Sequence, residues 1–479
     1  MGPPTVKNVL FRPSSSLIRI MADTTAKEAK ISIKVIIDKV NRRVVYAEAD
    51  HTFVDILFCF MTLPLGTIVR LLGKLDDKKY EGFGSLKNVY QSLEDFPECY
   101  LSTEECKHML LNPRSLSIDH CRNLKLQIDD TEPLKYFKCA ACADYSSYQP
   151  IFSTCTKAKC PKCGKLMTSE VTGSIQQAKV CVSGGGVFVS DIVTFIVTDD
   201  LCVMPYTSAS SIQLVTRLGI SDKSCLEEIK LDMGCEEILH LLKMALSLDS
   251  VFTYLVFHRV EPIRDILIPG QSGTLDQIDL TEKEESSSSK IHLEVTLQNS
   301  TGKLLFAEAQ EDFIDFLFGF LSIPLGTVVG ELMKGVSSLT CMDNIFKSIS
   351  NMSVGRYLKS QEIKDMLLKA HIGQQYSSKH QVFRLEGIPL LWSSKYHKDP
   401  RIDRGLLKQS GMFIVTNDLI ITPSSSYSTL NTLNDLKVSF FDIKREEISI
   451  GLTEGLKILK ASLKSHSTLT DSLEHLLKM

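Results

Sequence analysis

The residues whose types and spacing most clearly suggest a chemical role are four cysteines arranged in two pairs. They are Cys139-x2-Cys142 and Cys160-x2-Cys163. Each spacing lets one turn present two thiolates, and four thiolates suit tetrahedral zinc. Pro161 and Gly164 fit a tight knuckle around the second pair. The sequence therefore predicts one structural zinc ion per chain, with four free thiols or a redox CxxC as the alternatives.

The other cysteines do not suggest a disulfide framework. The chain has 479 residues and 14 cysteines, and all of these but Cys341 precede residue 260. A chain of this length does not need disulfides for stability, and no secretory signal precedes the first domain. We therefore expect an intracellular, reducing compartment, cytoplasmic or nuclear, with most thiols buried as small hydrophobic groups. Cys155 is either a spare thiol or a substitute ligand.

Four lysines give the second cysteine pair a basic edge: Lys157, Lys159, Lys162 and Lys165. A zinc ribbon with such an edge is an alternative site for nucleic acid. The whole chain argues against it, because a formal net charge of −3 provides no general attraction for nucleic acid or an anionic membrane. A run of charged residues is more often an ordinary solvent-exposed surface than a binding site.

Other chemically suggestive residues have simpler structural explanations. Gly184 to Gly186 lacks the Lys-Ser/Thr of a phosphate-binding loop, so a turn between strands is favoured. Ser208, Ser210, Ser211 and Ser424 to Ser426 are better placed as helix caps than as nucleophiles. Glu48 and Glu308 recur inside AEA as polar positions at strand ends, and His240 belongs to a helix surface. Without HExxH or GxSxG, an enzyme of unknown type is only an alternative.

These residues must be positioned by the fold, and the sequence contains an internal repeat that indicates its organisation. Residues 31–74 and 291–334 align without a gap, and AEA, FxDxLFxF and PLGT recur in register. Alternating apolar residues around a polar turn predict a β-hairpin in each copy. An apolar helix follows at 53–61, with Thr52 as N-cap and Asp55 completing a capping box; Asp312 and Asp315 occupy those places in the second copy. Pro64 begins a second helix or kinks the first.

The later parts of the two halves also correspond. Amphipathic helices are predicted at 86–93 and 102–111 and again at 342–349 and 360–368. Hairpins at 194–204 and 412–422 turn at Asp199-Asp200 and Asn417-Asp418, and short helices follow at 210–218 and 428–436. Each half then closes with a strand and an apolar-faced helix. Charged residues and Pro64 interrupt the apolar stretch 53–73, so we do not expect it to span a membrane.

The predicted domain boundaries follow from the repeat. Residues 1–30 form a disordered extension, whose first 21 residues resemble a transit peptide in composition and so leave a plastid location as an alternative. The first repeat domain covers 31–258 with a zinc-ribbon-like insert at about 135–170. A flexible linker rich in Pro, Gly and Ser covers 259–290. The second repeat domain covers 291–479 and lacks the insert.

Several separated segments carry a family resemblance: AEADHTFVDILFCFMTLPLGTIVRLL, CPKCGKLM, VTDDLCVMPYTSASSIQLVTRLGI and LLKMAL. Together they resemble a plant family known as a domain of unknown function, number 674. The resemblance runs from about Ile31 to the end. It implies a plant protein, often with tandem copies, and it implies no activity or catalytic residues.

The sequence predicts an α+β fold with two homologous domains, each opening with a hairpin and a buried helix. A hairpin followed by a capped helix also occurs in β-grasp folds. The favoured function is a non-catalytic intracellular interaction protein with a protein partner and a structural zinc site. A nucleic-acid-associated protein and an enzyme are the alternatives.

Overall fold

A computed structural model shows how the chain folds. It describes most of the chain from residue 29 to residue 477, with gaps of which the longest separates residues 257 and 290. The ranges are 29–75, 83–132, 135–142, 152–153, 156–160, 162–171, 185–191, 193–257, 290–373, 376, 382–383, 385, 387–388, 405–408 and 411–477. The predicted extension at 1–30 and the predicted linker at 259–290 lie almost wholly outside these ranges.

The strands have two to eight residues and are distributed over both halves of the chain. In order they are β1 (Ile31–Asp38), β2 (Arg43–Ala49), β3 (Phe137–Lys138), β4 (Ser169–Glu170), β5 (Phe195–Val197), β6 (Val203–Pro205), β7 (Leu226–Met233), β8 (Ile291–Gln298), β9 (Leu304–Ala309), β10 (Ile372–Gly373), β11 (Gly387–Ile388), β12 (Phe413–Thr416), β13 (Ile421–Pro423) and β14 (Ile443–Ile450).

The α-helices lie between or after these strands, most of them in runs of two or more. In order they are α1 (His51–Cys59), α2 (Leu65–Leu72), α3 (Leu86–Asp95), α4 (Glu104–Leu111), α5 (Ile118–Cys121), α6 (Ser208–Arg217), α7 (Cys235–Ala245), α8 (Val251–Phe257), α9 (Glu311–Gly319), α10 (Thr340–Asn351), α11 (Gln361–Leu368), α12 (Ser426–Asp435), α13 (Leu452–Ser462) and α14 (Thr468–Leu477). Residues Thr327–Leu332 form a π-helix, in the position that α2 has in the first half.

Two five-stranded antiparallel sheets organise the fold, which is therefore α+β as predicted. The first sheet has the order β6-β5-β2-β1-β7 and the second has the order β13-β12-β9-β8-β14. The two orders are equivalent, because each strand of the second sheet takes the place of the strand seven numbers earlier in the first sheet. The register of β1 against β2 shifts between Ile36 and Ile37, and that of β8 against β9 shifts between Thr296 and Leu297.

Hydrophobic alternation explains the first hairpin. Ile31, Ile33 and Val35 are buried, while Ser32 and Lys34 between them are exposed. The turn is held by Asp38, whose carboxylate accepts hydrogen bonds from the backbone N–H groups of Val40 and Asn41 at 3.1 and 3.2 Å. Such a side-chain bond to the backbone two residues on favours a turn over continued strand.

The predicted helix cap is wrong by two residues. Asp50, not Thr52, is the N-cap of α1, and its carboxylate accepts hydrogen bonds from the backbone N–H groups of Thr52 and Phe53 at 3.0 and 3.3 Å. Asp55 is not part of a capping box, because its carboxylate serves a distant loop described below. In the second copy Gln310 stands at the N-cap position and Asp312 lies in the first turn.

The helix α1 lies at the centre of the core, as its apolar sequence predicts. Every residue from Phe53 to Cys59 is buried. Pro64 then precedes α2, as predicted, and forms an isolated antiparallel bridge with Pro324 of the second half. Within the part of the chain that the structure describes, no helix combines the length and the apolar character needed to cross a bilayer.

A helix of the first half covers the sheet of the second half. Helix α3 packs on β13 and α9. The backbone N–H of Ile421, in β13, donates a 2.9 Å hydrogen bond to Oγ of Ser92, and Nδ2 of Asn88 donates to the carbonyl oxygen of Asp418 at 2.8 Å. Just after α3, the ring of Phe96 lies 5.6 Å from that of Phe413 in β12.

The second half makes the equivalent contact with the first half. Helix α10 packs on β6 and α1 of the first half. The backbone N–H of Val203, in β6, donates a 2.9 Å hydrogen bond to Oγ of Ser348, and Nδ2 of Asn344 donates to the carbonyl oxygen of Asp200 at 2.9 Å. The two halves therefore exchange equivalent helices, and one continuous hydrophobic core contains residues from both.

This exchange bears on the predicted domain division, which stays a prediction. The segment order within each half is the predicted one, including the hairpins that turn at Asp199-Asp200 and Asn417-Asp418. The sequence did not indicate that α3 and α10 each complete the other half. Helices α8 and α14, which follow the closing helices α7 and α13, were also missed.

Candidate metal centre

A small ribbon carries the four cysteines outside the main core. Strands β3 and β4 pair antiparallel, and Phe137 exchanges two backbone hydrogen bonds with Ser153 at 2.8 and 2.9 Å. Cys139 follows β3 directly, and the N–H of Cys142 donates to the carbonyl oxygen of Cys139 at 3.3 Å. The first cysteine pair is thus presented by a turn at the end of a strand.

The second pair belongs to a tighter knuckle. The N–H of Cys160 donates to the carbonyl oxygen of Lys165, and the N–H of Gly164 donates to that of Cys160, both at 2.8 Å. Gly164 has a φ of +73°, a left-handed conformation that glycine adopts without strain, so the prediction of a tight knuckle fits here. Pro161, which was part of that prediction, lies outside the described residues.

The four thiol groups converge as the spacing predicts. The sulfur atoms of Cys139, Cys142, Cys160 and Cys163 all lie within 4.8 Å of one another. The distance is 3.4 Å between the Sγ atoms of Cys139 and Cys163 and 4.0 Å between those of Cys142 and Cys160. Zinc–sulfur bonds of about 2.3 Å in a tetrahedron place sulfurs about 3.8 Å apart. The cluster can hold a metal ion, and its size and all-thiolate chemistry suit zinc.

The cluster is partly shielded from solvent. Cys139 and Cys160 are each 5% exposed and form a separate small core with Ala158 and Met167. Cys142 is half-buried and Cys163 is exposed. Because few apolar residues surround the sulfurs in the described part of this segment, burial there supplies little stability, and a bound metal would add to it.

Hydrogen bonds shift the pKa values of two of these thiols in opposite directions. The backbone N–H of Lys165, followed by hydrogen bonds with neighbouring thiols, lowers the pKa of Cys163 to about 7. Hydrogen bonding to Cys163, followed by burial, raises the pKa of Cys142 to about 12. Of these two thiols, the exposed Cys163 therefore supplies a thiolate more readily than Cys142.

Other predicted sites have ordinary structural roles. Residue Gly184 lies outside the described residues, but Gly186 opens a loop whose N–H groups at Val187, Phe188 and Val189 all donate to the carboxylate of Asp55. A run of backbone N–H groups of this kind can bind an anion, and here the protein's own carboxylate fills it. A Cβ at Gly186 would meet the carbonyl oxygen of Val189 at 2.4 Å.

Asp315 repeats this arrangement in the second half. Its carboxylate accepts hydrogen bonds from the N–H groups of Leu406 and Leu407, both at 3.1 Å. Burial raises the pKa of Asp55, although its three amide donors act in the opposite direction. The recurrence of Asp in FxDxLFxF was the sequence signal for this role, and helix capping was the wrong explanation for it.

The remaining candidates are also accounted for. Thr207 and Ser425 are the N-caps of α6 and α12, with Ser210 and Ser428 as their capping-box partners. Glu48 and Glu308 lie half-buried in β2 and β9, and His240 lies on α7, where Nε2 is 3.9 Å from Glu236. Cys155 falls outside the described residues.

Comparisons with known proteins add a family and no activity. The model of a family described as "Protein of unknown function (DUF674)" matches residues 27–453, which is more than half of the chain. Searches of the curated proteins and of the solved structures found no match.

Proposed function

The chain belongs to the DUF674 family, and from this premise we propose that it is a non-catalytic interaction protein stabilised by one zinc ion. The convergence of the four sulfur atoms within 4.8 Å carries the proposal. Cys139 and Cys142 would bind the ion from the end of β3, and Cys160 and Cys163 from the knuckle. With all four positions of a tetrahedral site taken by protein ligands, none remains for substrate or water, so the role is structural.

The roles of the buried carboxylates support a non-catalytic function. Asp55 and Asp315 accept backbone hydrogen bonds, Asp343 accepts from the N–H and hydroxyl of Ser337, and the half-buried Asp199 accepts from Thr253. These acids hold loops and helix ends in place. A carboxylate committed to fixed backbone donors is poorly suited to exchange protons with a substrate.

Exposed aromatic residues support a protein partner. Phe440 and Phe441 lie side by side in the turn before β14, with 54% and 100% of their surfaces exposed. Aromatic side chains are enriched in protein interfaces, where their burial provides much of the binding energy. We place the protein in a reducing compartment, the cytoplasm or nucleus, because a four-thiolate site requires reduced cysteines.

Zinc content tests the proposal directly. Reduced full-length protein should contain one zinc per chain by elemental analysis, and Cys160→Ser should contain none. Cys99→Ser is the matched control, because Cys99 is an exposed cysteine outside the cluster, and it should keep the zinc. Chelation should speed hydrogen exchange at 135–171 while both large sheets stay protected. Zinc-free wild type, or a protein that needs Cys155 and not Cys139, contradicts the assignment.

Nucleic-acid binding is the second candidate, favoured by one observation. Lys159, Lys162 and Lys165 are all exposed on the cysteine knuckle. Lys157 is exposed too, and its Nζ lies 3.7 Å from Glu105 of α4. If the knuckle binds phosphates, replacing the three lysines with glutamine should weaken binding of single-stranded RNA and reduce its salt dependence by about one ion for each phosphate that a lysine had neutralised. Unchanged binding in the triple variant rejects this candidate.

A further inference from the structure

Two buried thiols that the metal site does not use face each other in the first half. Cys59 is the last residue of α1 and Cys121 is the last residue of α5. Their Sγ atoms are 3.0 Å apart, and the residues are 0% and 6% exposed. Both thiols are free. A disulfide bond needs sulfurs about 2.0 Å apart, so a shift of about 1 Å would close one.

A hydroxyl group orders the hydrogens of this pair. Oγ1 of Thr62 donates its hydrogen to the carbonyl oxygen of Cys59 at 2.8 Å, so towards sulfur it acts as an acceptor. It lies 3.4 Å from Sγ of Cys121, while the thiol of Cys59 donates to Cys121. A thiolate on Cys121 would therefore keep a hydrogen-bond donor. The hydrogen bond to Cys121, with burial next, raises the pKa of Cys59.

The second half shows that this turn does not require a thiol. Gly319 occupies the place of Cys59, and Oγ of Ser322 donates to its carbonyl oxygen at 2.8 Å, as Thr62 does in the first half. A Cβ added at Gly319 would have no atom within 4 Å in the described part of the chain. The backbone geometry is thus the same with and without sulfur, so the sulfur of Cys59 is an addition to the turn.

A narrow cleft reaches the two thiols. Besides Cys59 and Cys121 it is lined by Arg122, Gln127 and Asp129, with a free volume of about 10 Å³. That is room for one molecule close to the size of water. Gln127 is exposed at the rim, while Oδ2 of Asp129 is buried and has no hydrogen-bond partner among the described residues. The cleft offers a hydrogen-bond acceptor to a small molecule that carries O–H groups.

We propose that Cys59 and Cys121 form a peroxide-reactive dithiol that closes to a disulfide. The Cys121 thiolate attacks one oxygen of hydrogen peroxide, the O–O bond breaks, and the departing hydroxide takes up a proton to form water. The Cys59 sulfur then attacks the resulting sulfenic acid, the S–S bond forms, and the second hydroxide leaves with the Cys59 proton as water. Two thiols are oxidised and one peroxide is reduced to two waters.

The cleft selects the oxidant. The free volume of about 10 Å³ is at the lower limit for one water, so hydrogen peroxide enters with a small outward movement of the lining side chains, whereas glutathione disulfide is far larger than the free volume. The reaction is independent of the zinc proposal, because none of the four zinc-site cysteines lines the cleft. The disulfide would tie the central helix α1 to the segment that leads into the ribbon.

Peptide mapping of the full-length protein tests the proposal. After brief treatment with hydrogen peroxide and alkylation of remaining thiols, mass spectrometry should find Cys59 and Cys121 joined in one peptide that dithiothreitol separates. Glutathione disulfide should produce no more than a trace. In Cys59→Ala the linked peptide is lost, and a sulfenic acid on Cys121 should be trapped when the treated protein is unfolded in the presence of dimedone, because dimedone is too large for the cleft. Folding of the variant is checked by circular dichroism.

Three results would overturn the proposal. The first is wild-type protein in which peroxide oxidises other cysteines while Cys59 and Cys121 stay reduced. The second is a linked peptide that forms equally fast with glutathione disulfide, because the cleft then excludes nothing. The third is dimedone labelling of Cys59 in Cys121→Ala together with no labelling of Cys121 in Cys59→Ala, which reverses the order of attack. The first result needs only wild-type protein, so a misfolded variant cannot obscure it.

Discussion

The shared core predicts that a destabilising substitution in one half lowers the stability of both halves. Leu57 in α1 is fully buried, and α1 packs on β1 and β2 of its own half and on α10 of the other half. Leu57→Ala removes three heavy atoms from the core and leaves a cavity. A fully buried leucine replaced by alanine lowers the free energy of unfolding by about 2–5 kcal/mol. If the halves unfold together, the whole molecule loses that amount.

Hydrogen exchange followed by mass spectrometry measures each half separately. Under conditions in which slow amides exchange through global unfolding, a loss of about 2 kcal/mol speeds exchange about 30-fold. The factor should be the same for peptides that contain β1 and peptides that contain β8. Leu317→Ala, the equivalent change in α9, should give the same pattern, because Leu317 is also 0% exposed.

Val40→Ala is the control, because Val40 is 71% exposed in the first hairpin turn and its loss should change stability by less than about 0.5 kcal/mol. Faster exchange confined to β1 in Leu57→Ala would refute the shared core and leave two independent domains. A loss below about 1 kcal/mol would refute the central position of α1.

Three further predictions concern single residues. Hydrogen bonding from the Asn41 side chain holds the pKa of Asp38 below its ordinary 3.8, so its stabilisation is present above that pH and is lost as pH falls through the lower folded value. Asp38→Ala should therefore lower urea resistance at neutral pH, and its difference from wild type should shrink as the pH falls below 3.8. Gly186→Ala should cost about 1–3 kcal/mol in urea unfolding, because the new methyl group displaces the loop that surrounds Asp55. Ser348→Ala leaves a buried N–H of β6 without its acceptor and should cost about 1–3 kcal/mol; an unchanged midpoint would mean that water replaces the hydroxyl.

Local patterns in the sequence predicted local structure well. Alternating burial at Ile31, Ile33 and Val35 required only period-two patterning, and the turn at Asp199-Asp200 required only turn chemistry. The convergence of the four cysteines followed from their spacing, because each pair lies within one turn. In these cases the interacting residues are close in sequence or share a standard geometry.

Long-range partners could not be predicted in the same way. The donors to Asp55 lie more than 130 residues away, so its carboxylate was assigned to the nearest helix end. Thr52 was chosen as N-cap although Asp50, two residues earlier, is the better acceptor. Helices α3 and α10 have equivalent apolar faces and equivalent target sheets, so hydrophobic patterning fits either pairing. The three-dimensional arrangement selects the exchanged one.

The exchange of helices also fixes how long each element waits during synthesis for its packing partner. The hydrogen bond from Val203 to Ser348 spans 145 residues, and that from Ile421 to Ser92 spans 329. At about 5–20 residues per second, β6 is made about 7–30 s before its covering helix exists, and α3 waits about 16–66 s for its sheet. During that interval the nascent first half exposes apolar surface that only the second half can cover. A chain that stops between the halves would keep that surface exposed and would be a ready substrate for chaperones and proteases.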